Sequence, residues 1–303
     1  MAARTASRLG RWLVSGPPML YLIVFFAIPS LIMVLASFCT PGEFGGLAPL
    51  IEEGKLDLNL DSYARFFSES VYAQIFLKSF WYALATTLFC LLLAYPLASL
   101  IARSSKRYRD LLLLLVILPF WSNFLIRVYA WMIILGPNAA LARTVNGVLA
   151  WFGHEPMPLL FSAFAVLVCL VYVHLPFMVL PLYANLEKHD QALLDAAQDL
   201  GANAWQRFWR ITFPLSLPGV YAGAALVFIP ALGIFAIPDI LGGPDDSLIG
   251  NVIKQQFLET RDWPFGSVLS IVLTVTALVL AGLAAWVARR NLGTPSSTTE
   301  SRA

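Results

Sequence analysis

Asp239 lies near the outer end of an apolar run, Gly219–Leu241, and is the carboxylate the sequence places at membrane depth. A charge there is costly to dehydrate, so it marks a functional position by default, and a cation is the ligand that would suit it. The plainer alternative is a snorkelled or hydrogen-bonded interfacial acid. Trp121, Tyr129 and Trp131 flank Arg127 in another apolar run. Ammonium groups bind over such rings. An interfacial aromatic belt is the competing explanation, and it suits Tyr129 and Trp131 better than the deeper Trp121. Arg127 would repel a cation, so pairing with an acid or a place near the outer headgroups accounts for it better. Lys78, at the edge of a run, reads as a snorkelling anchor.

Nothing else in the chain reads as chemistry. His154, His174 and His189 are scattered and match no metal spacing. The acid pairs Glu52/Glu53 and Asp245/Asp246 have no nucleophile or metal partner near them in sequence. Cys39, Cys90 and Cys169 show no CxxC spacing and sit in or beside apolar stretches, so buried thiols are expected. A G-x-x-x-x-G-K-[ST] phosphate loop is missing. No catalytic residue, metal, cofactor or nucleic-acid partner is therefore expected, and the chain reads as something other than an enzyme.

The elements that carry these residues are membrane helices. Of 303 residues 59% are hydrophobic and 13% charged, whereas soluble domains are charged at about a quarter of positions. Six apolar runs reach the roughly 20 residues a bilayer requires: Pro17–Phe38, Ser79–Ala102, Leu111–Leu135, Leu159–Leu186, Gly219–Leu241 and Ser267–Ala288. The first is too long for a signal-peptide core and is read as a retained anchor. Placing the N-terminus inside puts thirteen Lys and Arg on inner segments against five on outer loops, so both termini should be cytoplasmic. The outer loops carry eleven acids against those five bases. That favours a cationic ligand or a basic partner as readily as it reflects ordinary loop solvation. No internal repeat is visible.

The expected class is all-α and polytopic, in a bacterial inner membrane and among its lipids. Residues 1–16 form a cytoplasmic N-terminus, 17–38 a first transmembrane helix and 39–78 a periplasmic loop. Residues 79–288 form a core of five transmembrane helices, with a cytoplasmic loop at 187–218 and a periplasmic loop at 242–266. Residues 289–303 form a cytoplasmic tail.

The 187–218 loop is the most informative segment. Asp190 is a plausible N-cap for a helix through Leu200, and Gly201 suits the left-handed residue that ends it. A second helix should run from about Ala202 to Ile211, with Pro214 before the next span. Leu193, Ala196, Ala197 and Leu200 share one face, and the small alanines would let another surface approach closely. Docking to a partner and lying on lipid headgroups both fit such a helix pair.

Asp195-Ala196-Ala197, three residues, Gly201, nine residues, then Ile211-Thr212-Phe213-Pro214 resembles the EAA loop of binding-protein-dependent ABC importer permeases, E-A-A-x3-G-x9-I-x-L-P. Asp195 replaces the glutamate and Phe213 the leucine. Further stretches, LLAYPLASLIAR (92–103), ILPFWSNFLIRVYAW (117–131), VYVHLPFMVLPLYANLEKHD (171–190) and LGGPDDSLIGNVIKQQFLETRDWPFG (241–266), resemble the PotB/PotH family of spermidine/putrescine importer permeases. The resemblance implies the type I ABC importer permease (MetI-like) fold and inward polyamine transport by alternating access. It implies a heterodimer with a second, related permease, two cytoplasmic ATPase subunits and a periplasmic substrate-binding protein. Asp195, Ala196, Ala197, Gly201, Ile211 and Pro214 would then couple to the ATPase, and Trp121, Tyr129, Trp131 and Asp239 would line the substrate pathway. The rival readings are a stand-alone secondary transporter or channel for a small cation, and a membrane-embedded enzyme. The EAA-like loop argues against the first and the missing catalytic cluster against the second.

Overall fold

The structure, a computed structural model, describes residues 14–48, 51–52, 55–56 and 58–291. The expectations for the N-terminal arginines Arg4, Arg8 and Arg11, for Glu53 and Asp57, and for residues 292–303 of the tail fall outside that set. Among the described residues six helical stretches are long and apolar enough to cross a membrane: Val14–Ala36, Ser70–Arg103, Phe124–Trp151, Ala163–Leu186, Ala204–Gly233 and Trp263–Trp286. Two compact units divide the chain, Met1–Ala73 with Val252–Val275, and Gln74–Asn251 with Thr276–Ala303.

In the first unit, α1 (Val14–Ala36) carries a π-helical turn at Ile23–Ala27 and exposes nearly all its large apolar side chains, as a lipid-facing helix does. A tight turn follows, in which Gly45 takes φ +86° and a Cβ would lie 2.6 Å from the Arg261 Cβ, so no other residue fits without displacement. Two strands, β1 (Ile51–Glu52) and β2 (Lys55–Leu56), pair antiparallel. The helix α2 (Asp61–Ser68) is tied down by Arg65, which bonds Glu69 and Asp262 at 3.2 Å each and lies 4.3 Å over the Phe265 ring.

In the second unit, α3 (Ser70–Arg103) enters from residue 74. It is followed by α4 (Lys106–Ile117), α5 (Phe124–Leu135), α6 (Ala140–Trp151) and α7 (Ala163–Leu186). The run expected as one helix over Leu111–Leu135 is divided. Pro119 sits in a 3-10 turn, Leu118–Trp121, and Asn123 caps a new helix by accepting the Leu125 N–H at 2.8 Å. Beyond α7 come α8 (Gln191–Asp199), α9 (Ala204–Arg207), a π-helical turn Phe208–Thr212 and α10 (Phe213–Gly233). Helical backbone runs on through Pro214 from the π-helical turn, with Thr212 and Phe213 both in the right-handed helical region. The fifth span ends at Gly233 rather than Leu241, since Ile234 is extended. The short α11 (Ala236–Leu241) follows, then α12 (Ile249–Leu258), which belongs to the first unit from Val252, and α13 (Trp263–Asn291), which belongs to the second from Thr276.

The core of this unit is the packing of α10 on α7. Gly219 and Gly223 supply the close approach: a Cβ at Gly219 would meet the Asn185 Cβ at 2.8 Å, and one at Gly223 would meet the Met178 Sδ at 2.6 Å. This is a G-x-x-x-G seam, which lets membrane helices touch backbone to backbone where no hydrophobic effect drives them together. Cys90, Ala94, Ala98 and Ile101 of α3 complete the cluster with Met178, Leu182 and Val227. Cys39, Cys90 and Cys169 are buried and none forms a disulfide.

Candidate coupling surface and pathway

The loop between α7 and α10 folds into a rigid helix pair. Asp190 caps α8 by accepting the Ala192 N–H at 3.0 Å. At the other end Gly201 takes φ +83°, its N–H reaches the Gln198 carbonyl at 2.8 Å, and the Ala202 N–H reaches the Ala197 carbonyl at 3.0 Å. Together these form a Schellman cap. Asn203 and Gln206 then make a reciprocal capping box at the start of α9. Arg207 of α9 donates to Gln198 of α8 at 2.7 Å, which fixes the angle between the two short helices.

The pair presents a groove of about 430 Å³ lined by Ala197, Gly201, Gln206, Arg207, Arg210 and Ile211. Three of the residues expected to couple, Ala197, Gly201 and Ile211, meet there, whereas Asp195, Ala196 and Pro214 stand exposed and do not line it. Leu200, which is 90% exposed, lines it too, and Trp205 and Trp209 are exposed as well. Apolar side chains presented this way on a capped, ordered element suit a protein partner.

This element packs against the spans. Phe208 in the π-helical turn packs edge-on against Tyr95 of α3 at 5.4 Å, and Tyr95 shares a hydrogen bond with Ser216 of α10 at 2.9 Å. Beneath α8 lies a cavity of about 360 Å³, lined by residues including Ser99, Arg103, His189, Leu194 and Thr212.

The expected pathway residues divide. Trp121 ends the 3-10 turn and is 75% exposed. Tyr129 on α5 is exposed. Trp131, also on α5, is half-buried and meets Tyr172 of α7 edge-on at 5.6 Å. Asp239 sits on α11, beyond the fifth span, exposed and hydrogen-bonded by the Asn251 side chain. The helix α11 packs on α5 and α7, so Asp239 and the Tyr129/Trp131 pair belong to touching elements, while Trp121 lies outside α5. Arg127 has no ion pair with an acid among the described residues. Its guanidinium stacks instead over Phe120 at 5.1 Å and Phe124 at 6.0 Å, and its Nε is buried without a hydrogen-bond partner.

Lys78 is more than the anchor its position suggests. It lies 3.8 Å from Asp246 and donates to the Asp245 carbonyl. The loop after α11 folds back onto α3, a contact between residues far apart in sequence that no local pattern reveals. The Gly219/Gly223 seam also escapes the sequence reading, although the G-x-x-x-G spacing in an apolar run was the signal for it. Among the described residues no group of His, Cys, Asp or Glu is arranged to hold a metal ion.

Residues 94–292 match the family of binding-protein-dependent transport system inner membrane components. The spermidine/putrescine transport system permease protein PotB of Salmonella typhimurium (strain SL1344) is 43% identical over 90% of this chain and 91% of its own length. PotB of Escherichia coli (strain K12) is 43% identical over 90% of this chain and 95% of its own. The crystal structure of a bacterial alginate ABC transporter, in complex with an alginate-bound periplasmic protein, contains a chain of the same fold. Its TM-score is 0.72, with 19% identity over 94% of this chain and 96% of that one. The protein is a multi-pass inner-membrane transport subunit rather than an enzyme, and it belongs to the inner membrane components of binding-protein-dependent transport systems.

Proposed function

We propose that this chain is the permease subunit of an ATP-driven importer that moves polyamines inward by alternating access. The observation that carries the mechanism is the capped α8–α9 pair, with its groove at Ala197, Gly201 and Ile211 and its aromatic link through Tyr95 to α3. The relatives named for spermidine and putrescine transport support the cargo, and the acidic outer loops fit a polycation. The sequence has no phosphate-binding loop, so two cytoplasmic ATPase subunits would supply the energy. They would dock on Asp195, Ala196, Ala197, Gly201, Ile211 and Pro214. ATP-driven closure must favour one state of the permease over the other, and the docking pair is the lever that connects them.

The full assembly in this reading adds a second, related permease and a periplasmic binding protein. Both termini and the 187–218 loop face the cytoplasm in this reading, which the Lys and Arg bias supports. Asp239, Trp121, Tyr129 and Trp131 lie along the cargo's route and offer a carboxylate and π faces to compensate its dehydration. The test is ATP hydrolysis by the purified complex in lipid. Polyamine-loaded binding protein should stimulate hydrolysis, and unloaded protein should do so less. Equal rates with and without polyamine would refute the reading.

A further inference from the structure

The loop between α11 and α12 is held to α3 by an alkylammonium. Lys78 Nζ lies 3.8 Å from Asp246 Oδ1 and donates to the carbonyl of Asp245. One helical turn along α3, the Tyr82 hydroxyl donates to the same Asp246 oxygen at 3.2 Å. The other oxygen, Oδ2, accepts the Gly243 N–H at 3.0 Å. Beside them Ser79 Oγ accepts the Ile249 N–H at 2.8 Å. The Lys78 and Asp246 side chains are 32% and 14% exposed, so the site is partly dehydrated yet reachable from solvent.

A lysine side chain is a four-carbon stem ending in a primary ammonium. A site that holds it through a carboxylate and a backbone carbonyl is chemically a site for the end of any primary alkylammonium. The ion pair with Asp246 is long, 3.8 Å against the roughly 2.7–2.9 Å of a charge-assisted hydrogen bond, while the Asp245 carbonyl accepts a hydrogen bond from the same ammonium. Resting on the polyamine reading above, we propose that Lys78 is a placeholder, and that a cargo ammonium group replaces it on Asp246 and the Asp245 carbonyl. The exchange keeps the partly buried carboxylate paired throughout, since one ammonium enters as the other leaves. It also removes the Lys78 tie between α3 and the loop, which leaves the Tyr82 and Ser79 hydrogen bonds to hold that segment.

The test measures ligand-dependent thermal stability of the purified complex and needs no transport. Lys78→Met empties the site. n-Butylammonium should then stabilise the variant at about tenfold lower concentration than wild type, because the internal competitor is gone. Tetraethylammonium, charged but without N–H donors, should not. The double variant Lys78→Met/Asp246→Asn should lose the response. Lys78→Gln, which retains a donor for the Asp245 carbonyl, carries the same expectation if Lys78→Met does not assemble. The proposal is overturned by no butylammonium response in the single variants, by an undiminished response in the double variant, or by failure of both single variants to assemble even when made with butylammonium present. If butylammonium binds in this way but polyamines do not stimulate ATP hydrolysis, the cargo assignment fails and the site stands.

Discussion

At the scale of the residue, the account depends on a few side chains whose replacement separates coupling from folding. Gly201 holds φ +83°, a conformation that costs an L-residue about 1–2 kcal/mol, so Gly201→Val should distort the end of α8 without preventing insertion. Ala197→Glu fills the groove that Ala197 lines with a charge. Both variants should reach the membrane and assemble, yet lose polyamine-stimulated ATP hydrolysis, measured on the purified complex; retention of stimulation by both would remove the docking role. On the pathway, Asp239→Asn removes charge and keeps shape, and Trp121→Ala removes a ring worth up to about 2 kcal/mol to a dehydrated cation. Uptake by the assembled complex should fall in each, for Trp121→Ala by about tenfold. Asp239→Asn at the wild-type rate would leave Asp239 as an interfacial acid bound to Asn251.

The helices themselves were largely legible, because hydrophobic length and capping are local properties. Asp190 and Gly201 announce both ends of α8 by their chemistry, and both caps form. The interruptions were less legible. Pro119 and Asn123 divide an unbroken apolar run, and the fifth span stops at Gly233, which puts Asp239 on a separate short helix. Side-chain hydropathy does not register a lost N–H or a competing cap. Long-range pairings were least legible: Lys78 with Asp246 and Arg65 with Asp262 join distant segments, and each residue looked like an isolated loop or edge charge. The α7–α10 seam gives the prediction at this scale. Gly223→Leu would drive a side chain into Met178, an overpacking that costs about 1–3 kcal/mol. The purified complex should melt at a lower temperature and be less abundant, whereas Gly147→Leu, where a Cβ meets nothing within 4 Å, should change neither.

For the whole molecule, orientation and direction of transport are the claims that matter. In intact cells a cysteine at Gln206 should resist an impermeant thiol reagent added outside, and one near Asp246 should react; external labelling at position 206 would invert the topology and remove the docking pair from the ATPase side. The central claim, that this chain turns ATP hydrolysis into inward polyamine movement, is tested most directly in proteoliposomes. The complex, reconstituted with its ATPase and second permease, is given ATP on the ATPase side and radiolabelled polyamine with binding protein on the other. Labelled polyamine should cross to the ATPase side only when both ATP and binding protein are present, and the Ala197→Glu complex should carry little. Accumulation at the same rate without ATP, or driven by an imposed ion gradient alone, would contradict the account and identify a stand-alone secondary transporter or channel.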